Sequence, residues 1–258
     1  MIDFLKQISI LYYKVFPKLF GIGYNQYKIS IIKKILENKE INLNRYIDER
    51  IVEIPWIMQN LNFFENNKIL DAGCTLNFNY LIKKIIKKKN KLTFINLYPE
   101  KNVFKSNLVN YETQDITDMK FESSYFDAIT CISVIEHIGH DNSIYNIKKD
   151  SKSHILDKNL YKKAIIELKR VLKPNKCLYL TIPFGKKMTF RNYQQFDIDD
   201  LNLMLNIFSP KEYFLNFYKY ENLKWNKVDY RSCKHIEAIY EKEIGISSNS
   251  VALVKLKK

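Results

Sequence analysis

From residue 67 onward, short apolar runs alternate with stretches of helical period, and this alternation limits the fold more than any other feature of the chain. The runs are "KILDAG", "KLTFINL", "FDAITCISVI", "KCLYLTIPF", "YFLNFYKY" and "SVALVKLKK". Each has strand length and is rich in β-branched and aromatic residues. Helical spacing falls between them, notably over 77–87 and 159–172, and a further helical stretch is expected near 233–243, before a closing strand at 250–257. Strands joined through helices pair in parallel, which predicts an α/β sheet with helices on both faces. Residues 1–66 read differently, as helices over roughly 3–20, 28–38 and 51–63, with Pro55 near the start of the last, where a helix tolerates it. The expected organisation is a helical extension or lid over 1–66 and one domain over 67–258. A polar insertion, "HDNSIYNIKKDSKSHILDK" at 140–158, follows the fourth strand candidate, on the edge where such sheets bind ligands.

Composition narrows the class. A hydrophobic content of 46% is ample for one core. The four cysteines, Cys74, Cys131, Cys177 and Cys233, form no CxxC pair. Neither a zinc site nor a disulfide framework is expected, and buried reduced thiols fit a cytoplasmic protein. The net charge of +14 invites a nucleic-acid reading. The lysines, however, scatter along the whole chain beside many Asn, Ile and Tyr, as a compositional bias would place them. An anionic small substrate or weak association with a membrane surface fits equally well, and nucleic acid is not the expected partner. The N-terminal stretch carries Lys6, Lys14 and Lys18 and lacks an unbroken apolar run of spanning length, so neither a signal peptide nor a transmembrane segment is expected.

The stretch "KILDAGCTLNFNYLIKK" reads as strand, tight turn and helix, the layout of a nucleotide-binding corner. A dinucleotide corner needs several glycines so that pyrophosphate can approach backbone N–H groups. Here there is only Gly73, and Asp71 stands where it would repel a phosphate. A cationic cofactor without phosphate removes both difficulties. S-adenosylmethionine is such a molecule, and Asp71 would favour its charge.

These segments together resemble class I S-adenosylmethionine-dependent methyltransferases, from about Lys68 to Phe184. "ILDAGC" is similar to the first motif, which implies Asp71, Ala72, Gly73 and Cys74 at the cofactor. "LTFINLYPE" is similar to the second strand and its end, where an acidic residue usually holds the ribose; Asn96 occupies that place, followed by Leu97. "QDITDMKFESSYFDAITCISVIEHIG" is similar to the next motifs, which implies Asp115 and Ile116 near the adenine and Ser133 at the end of the strand. The resemblance implies a Rossmann-like methyltransferase sheet, mostly parallel with an antiparallel last strand. Thr75 and Asn77 replace the later glycines of the first motif, and either is expected to cap the following helix. A neutral hydrogen bond from Asn96 in place of a charged one implies cofactor binding weaker by about tenfold.

A narrower resemblance, carried by "RIVEIPWIMQNL", "CISVIEHIGH", "TIPFG" and "YFLNFYKYENLKW", is to methyltransferases of surface-polysaccharide biosynthesis. It implies a carbohydrate or nucleotide-sugar substrate, with oligomerisation left open. A sugar hydroxyl is a poor nucleophile, so a general base helps. "SVIEHIGH" supplies Glu136, His137 and His140, with His137 favoured because histidine titrates near neutrality. These residues lie close to Asp141, but without a distant fourth ligand no metal is expected. Past the fifth strand, Lys187 and Arg191 are candidates for substrate phosphates, with Tyr193 beside them. RNA methylation and a non-catalytic partner subunit are the alternative functions.

Overall fold

The computed structural model describes residues 17–41, 47–61, 64–141, 157–241 and 245–258. The helix expected over 3–20 lies mostly outside them, as does most of the 140–158 insertion. Helix α1 (Pro17–Leu36) joins the end of that expected helix to the one expected at 28–38, and α2 (Arg50–Leu61) follows. Pro55 lies inside α2 rather than at its start.

The sheet has eight strands. β1 (Lys68–Ala72), β2 (Lys91–Asn96), β3 (Val109–Thr113), β4 (Phe126–Ile132) and β5 (Leu172–Pro183) are parallel. Their helices are α3 (Asn79–Ile86), before β2, and α4 (Tyr161–Val171), before β5. After β5 come a small hairpin, β6 (Met188–Phe190) and β7 (Tyr193–Gln195), then α5 (Ile198–Phe208), β8 (Glu212–Glu221) and β9 (Lys224–Val228). A second small hairpin, β10 (Ile239–Glu241) and β11 (Gly245–Ser247), precedes the closing strand β12 (Ser250–Lys257). The order across the sheet is β3-β2-β1-β4-β5-β12-β8-β9, and β12 runs antiparallel to both its neighbours. The expected mostly parallel sheet with an antiparallel last strand is the observed fold.

The helix expected near 233–243 is replaced, among the described residues, by a 3-10 turn (Tyr230–Cys233) and β10. The reason is tertiary: the Ile236 carbonyl accepts from Lys186 N–H and from Gln195 Nε2, which holds this backbone against β7.

Strand alternation sorts the two faces. Leu70, Ala72, Ile129, Cys131, Leu178, Leu180 and Ile182 join α4 and α5 in one buried cluster. Ile69, Ala128, Ile132 and Tyr179 join α1, α2 and α3 in the other. Helix α2 buries Ile51, Ile54, Ile57, Met58 and Leu61 there, each contributing about 1.5–3 kcal/mol. By the same alternation Asp71, Thr130 and Thr181, all fully buried, lie in β1, β4 and β5 at positions of this second face. Helix α2 therefore covers a polar patch at the carboxyl ends of the central strands.

Candidate active site

In an open α/β sheet the ligand crevice forms where strand order reverses, here between β1 and β4. The turn after β1 is held from below. Asp71 accepts from Leu76 N–H at 2.8 Å and from the Thr130 hydroxyl at 2.7 Å, so its carboxylate stabilises the turn rather than facing a ligand. Burial, outweighing both bonds, pushes its pKa up to about 6. Gly73 has φ +105°, and a Cβ there would meet Val134 Cγ2 at 2.2 Å. The glycine is thus required for packing against the segment after β4. Cys74 also has positive φ, and burial followed by the charges of Asp71 and Glu100 pushes its thiol pKa up.

Neither Thr75 nor Asn77 caps α3. The Thr75 hydroxyl donates to the Ile132 carbonyl at 3.1 Å, and Asn77 accepts from the Tyr111 hydroxyl at 2.7 Å and donates to the Asn102 carbonyl at 2.8 Å. Phe78 takes the N-cap position without a side-chain bond. Both side chains therefore pin the turn to its neighbours.

Asn96 ends β2 half-buried, its Oδ1 accepting from Leu97 N–H at 2.9 Å; the Leu97 side chain is exposed. Asp115 is exposed and accepts from the Thr117 N–H and hydroxyl, each at 2.8 Å, while Ile116 and Ala72 are buried. At the end of β4, Ser133 adopts φ +47° and donates to Glu53 Oε1 at 2.6 Å. The same oxygen accepts from the Thr181 hydroxyl at 2.7 Å, and Glu53 Oε2 accepts from Arg50 Nη1. Glu53 is fully buried. Burial opposes the Arg50 charge, but Glu53 and Glu49 outweigh it and hold the guanidinium pKa above its usual value.

Glu49 and Glu136 complete this carboxylate group. Burial, more than the surrounding charges, pushes Glu49 up to about 8 and Glu136 well above the usual range. His137 Nδ1 lies 2.8 Å from the Asn192 carbonyl and His140 Nδ1 lies 3.1 Å from the Phe190 carbonyl, so each Nδ1 carries its proton and donates. Burial lowers the pKa of both rings, His137 to about 4. The expectation that His137 titrates near neutrality is corrected by that desolvation: the ring stays neutral.

The two cations expected at a phosphate are engaged elsewhere. Lys187 pairs with Asp200 at 2.6 Å, and Arg191 with Asp141 at 2.6 Å. Tyr193 is buried, its ring centroid 5.9 Å from that of His137. Among the described residues no group of three or more His, Cys, Asp or Glu is placed to hold a metal, and no helix is long and apolar enough to cross a membrane.

The structure thus brings Glu136, His137, His140, Ser133 and Tyr193 together and leaves Leu97, Asp115, Lys187 and Arg191 at the periphery. Glu49, Arg50 and Glu53 also belong to the site; Arg50 and Glu53 lie in "RIVEIPWIMQNL", to which sequence reading assigns no site role. The one readable signal is Glu53, which lies four residues before Ile57 and eight before Leu61 on the apolar stripe of α2.

Residues 70–180 match a family model described as a methyltransferase domain. No curated protein sequence matches significantly. Among solved structures, a SAM-dependent methyltransferase from Archaeoglobus fulgidus is similar, with a TM-score of 0.51 at 13% identity, covering 81% of this chain and 94% of that one. The 1,6-didemethyltoxoflavin-N1-methyltransferase of Burkholderia thailandensis, solved with bound 1,6-didemethyltoxoflavin and S-adenosylhomocysteine, gives a TM-score of 0.46 at 11% identity over 78% of each chain. Sequence match and strand order agree on a class I methyltransferase domain, and its cofactor is S-adenosylmethionine.

Proposed function

We propose that the protein transfers the methyl group of S-adenosylmethionine to a hydroxyl of a small carbohydrate, a sugar or nucleotide-sugar precursor of a surface polysaccharide. The observation that carries this reading is the acid-rich end of the crevice, where Glu53, Glu49 and Glu136 gather around Arg50 near the turn that Asp71 holds. That setting fits a cofactor that is cationic and free of phosphate. The turn at 73–76, Asn96 and Ser133 would hold it. When bound, it supplies an electrophilic methyl group on a sulfonium. The protein must then hold the acceptor in line and receive its proton. His137 suits the role of proton acceptor, because with its proton on Nδ1 its lone pair lies on Nε2. The 1–66 segment acts as a lid in this reading, because α2 brings Glu53 and Arg50 over the crevice. The test is mass spectrometry of products formed from the cofactor and a panel of sugars and nucleotide sugars. A product heavier by one methylene supports the reading, and methylated RNA with no methylated sugar would overturn it.

Two smaller predictions follow from the same site. Asn96→Leu should weaken S-adenosylhomocysteine roughly tenfold in isothermal titration, and Asn96→Asp should leave it unchanged or tighter. Unaltered affinity in the Leu variant would remove residue 96 from the cofactor site. The second concerns protonation. The folded pKa of His137, about 4, lies below that of a free histidine, so the unfolded chain binds the proton first as pH falls. This group's contribution to stability is present above about pH 6.5 and is lost as pH falls toward 4. Side-chain NMR should show the His137 ring titrating near 4, and a midpoint near 6.5 would contradict its desolvation.

A further inference from the structure

Beside His137 lies a set of buried polar atoms with nothing to bond. Among the described residues, Glu136 Oε2, His140 Nε2, Asn192 Oδ1 and the Tyr193 hydroxyl have no hydrogen-bond partner, although their residues are only 2%, 2%, 6% and 2% exposed. Glu49 Oε2 is a fifth such atom. Buried polar groups are normally satisfied, so orphans gathered in one place point to a ligand that completes them. The first four sit on two segments joined to each other. The 135–141 turn meets the β6–β7 hairpin through His137 Nδ1 and the Asn192 carbonyl at 2.8 Å, His140 Nδ1 and the Phe190 carbonyl at 3.1 Å, and Asp141 N–H donating to the Arg191 carbonyl at 3.0 Å. Glu136 and Glu49 both act electrostatically on the Tyr193 hydroxyl, which brings the start of α2 within reach of the same place.

The chemistry of this set is one-sided. Two carboxyl oxygens, once ionised beside a cation, and an amide oxygen accept. Because His140 Nδ1 donates to a carbonyl, Nε2 offers a lone pair. The tyrosine hydroxyl serves either way. None of these atoms is a nitrogen donor. Charge points in the same direction. Glu49, Glu53 and Glu136 face the guanidinium of Arg50, which is bonded to Glu53 and lies 3.9 Å from Glu49. A phosphate would meet acidic groups and, within this set, no N–H donor. An ammonium group brings three N–H donors, and its charge draws off the protons that burial keeps on Glu49 and Glu136.

We propose that Glu136, Glu49, Asn192, His140 and Tyr193 form a subsite for a protonated primary amine, so that the methyl acceptor is an amino-bearing polyol of the amino-sugar class. This deepens the methyl-transfer reading and rests on it for the word acceptor; the amine subsite itself does not. Phosphate plays no part in this contact.

The test is isothermal titration of the full-length protein, with S-adenosylhomocysteine first and then with methylammonium, D-glucosamine and N-acetyl-D-glucosamine. D-glucosamine should bind at least tenfold more tightly than its N-acetyl form. Glu136→Gln, which keeps the shape and adds a donor to an acceptor-only set, should abolish that preference. Tyr193→Phe should weaken it and serves as the second variant should the first not fold. At pH 7 amine binding should also release a proton, read as an enthalpy that changes with the buffer's heat of ionisation, because Glu49 with a pKa of about 8 gives up its proton to a neighbouring cation. Equal or tighter binding of the N-acetyl form would overturn the proposal, as would a preference that survives in both variants or no binding of either amine. Absence of S-adenosylhomocysteine binding with the amine preference intact would instead overturn the methyl-transfer reading and leave the subsite supported.

Discussion

Glu53→Ala should lower the stability of the protein by about 3–5 kcal/mol, the usual cost of leaving a buried charge without its partner. Glu53 is fully buried and holds three donors: Arg50, the Ser133 hydroxyl and the Thr181 hydroxyl. Alanine removes all three contacts at once. Arg50 keeps its charge, because the guanidinium does not deprotonate, and its remaining ion-pair contact among the described residues is then the long one to Glu49 at 3.9 Å. Two hydroxyls at the ends of β4 and β5 lose their acceptor, each costing a fraction of that sum. For a chain of this size the loss corresponds to a fall in melting temperature of roughly 6–20 °C. Denaturant titration should show the midpoint moving with little change in slope. The double variant Arg50→Met with Glu53→Met should recover much of the loss, since apolar side chains of similar volume replace a buried pair at little cost. A loss below about 1 kcal/mol in Glu53→Ala would mean that water reaches the pair as it reaches a surface salt bridge, and the lid reading of α2 would fall with it.

The six apolar runs in the sequence all correspond to strands of the central sheet; in β1, β4 and β12 the run records burial on both faces, whereas the run of β8 is aromatic and largely half-buried or exposed. The strands that left no such mark are those at the edges or in small hairpins. β3 borders the sheet and is half-exposed along its length, so Val109–Thr113 reads as polar. β6 and β7 are three residues each, below any reliable period. Helix α5 is a different case. Asp197 and Asp200 form a capping box, and Leu201, Met204 and Phe208 follow at helical spacing, so its signature stands in the sequence but is easily passed over beside the longer runs.

The site was less legible than the sheet, and for a physical reason. Position along the chain identifies which residues reach the carboxyl edge, as it did for Glu136, His137 and Ser133. It does not identify what each meets there. Asp71 has the charge to attract a cation, yet one of its oxygens is occupied by the turn it stabilises and the other by Thr130 of β4. Lys187 and Arg191 have the charge to bind phosphate, yet each is paired with an aspartate, Asp200 in α5 and Asp141 after β4. Glu53 in α2 and Glu49 just before it arrive from a segment that sequence reading places outside the sheet altogether. Such long-range pairing sets both the burial and the pKa of a group, and neither can be read from its neighbours in sequence.

His137→Ala should lower turnover by about 10²–10⁴-fold while S-adenosylhomocysteine affinity stays within roughly threefold. The low basicity of the buried ring does not count against it. A sugar hydroxyl is a much weaker acid than imidazolium before attack, but its oxygen becomes a strong acid as the new bond to carbon forms. A base whose pKa is about 4 is then strong enough to take the proton late in the step, and it is in its free form throughout the neutral range. The hydrogen bond from Nδ1 to the Asn192 carbonyl fixes the ring's orientation, which a proton acceptor needs. The same bond also makes a structural role testable. His137→Asn keeps a side-chain N–H near the position of Nδ1 but has no ring lone pair. As a base, His137 should give Asn and Ala variants with equally depressed turnover, and the Asn variant should retain its melting temperature. As a tie between the turn and the β6–β7 hairpin, it should instead give an Asn variant with near-normal turnover and an Ala variant that loses stability, affinity and rate together. Full activity in both variants would remove His137 from the reaction and shift attention to Glu136 and His140.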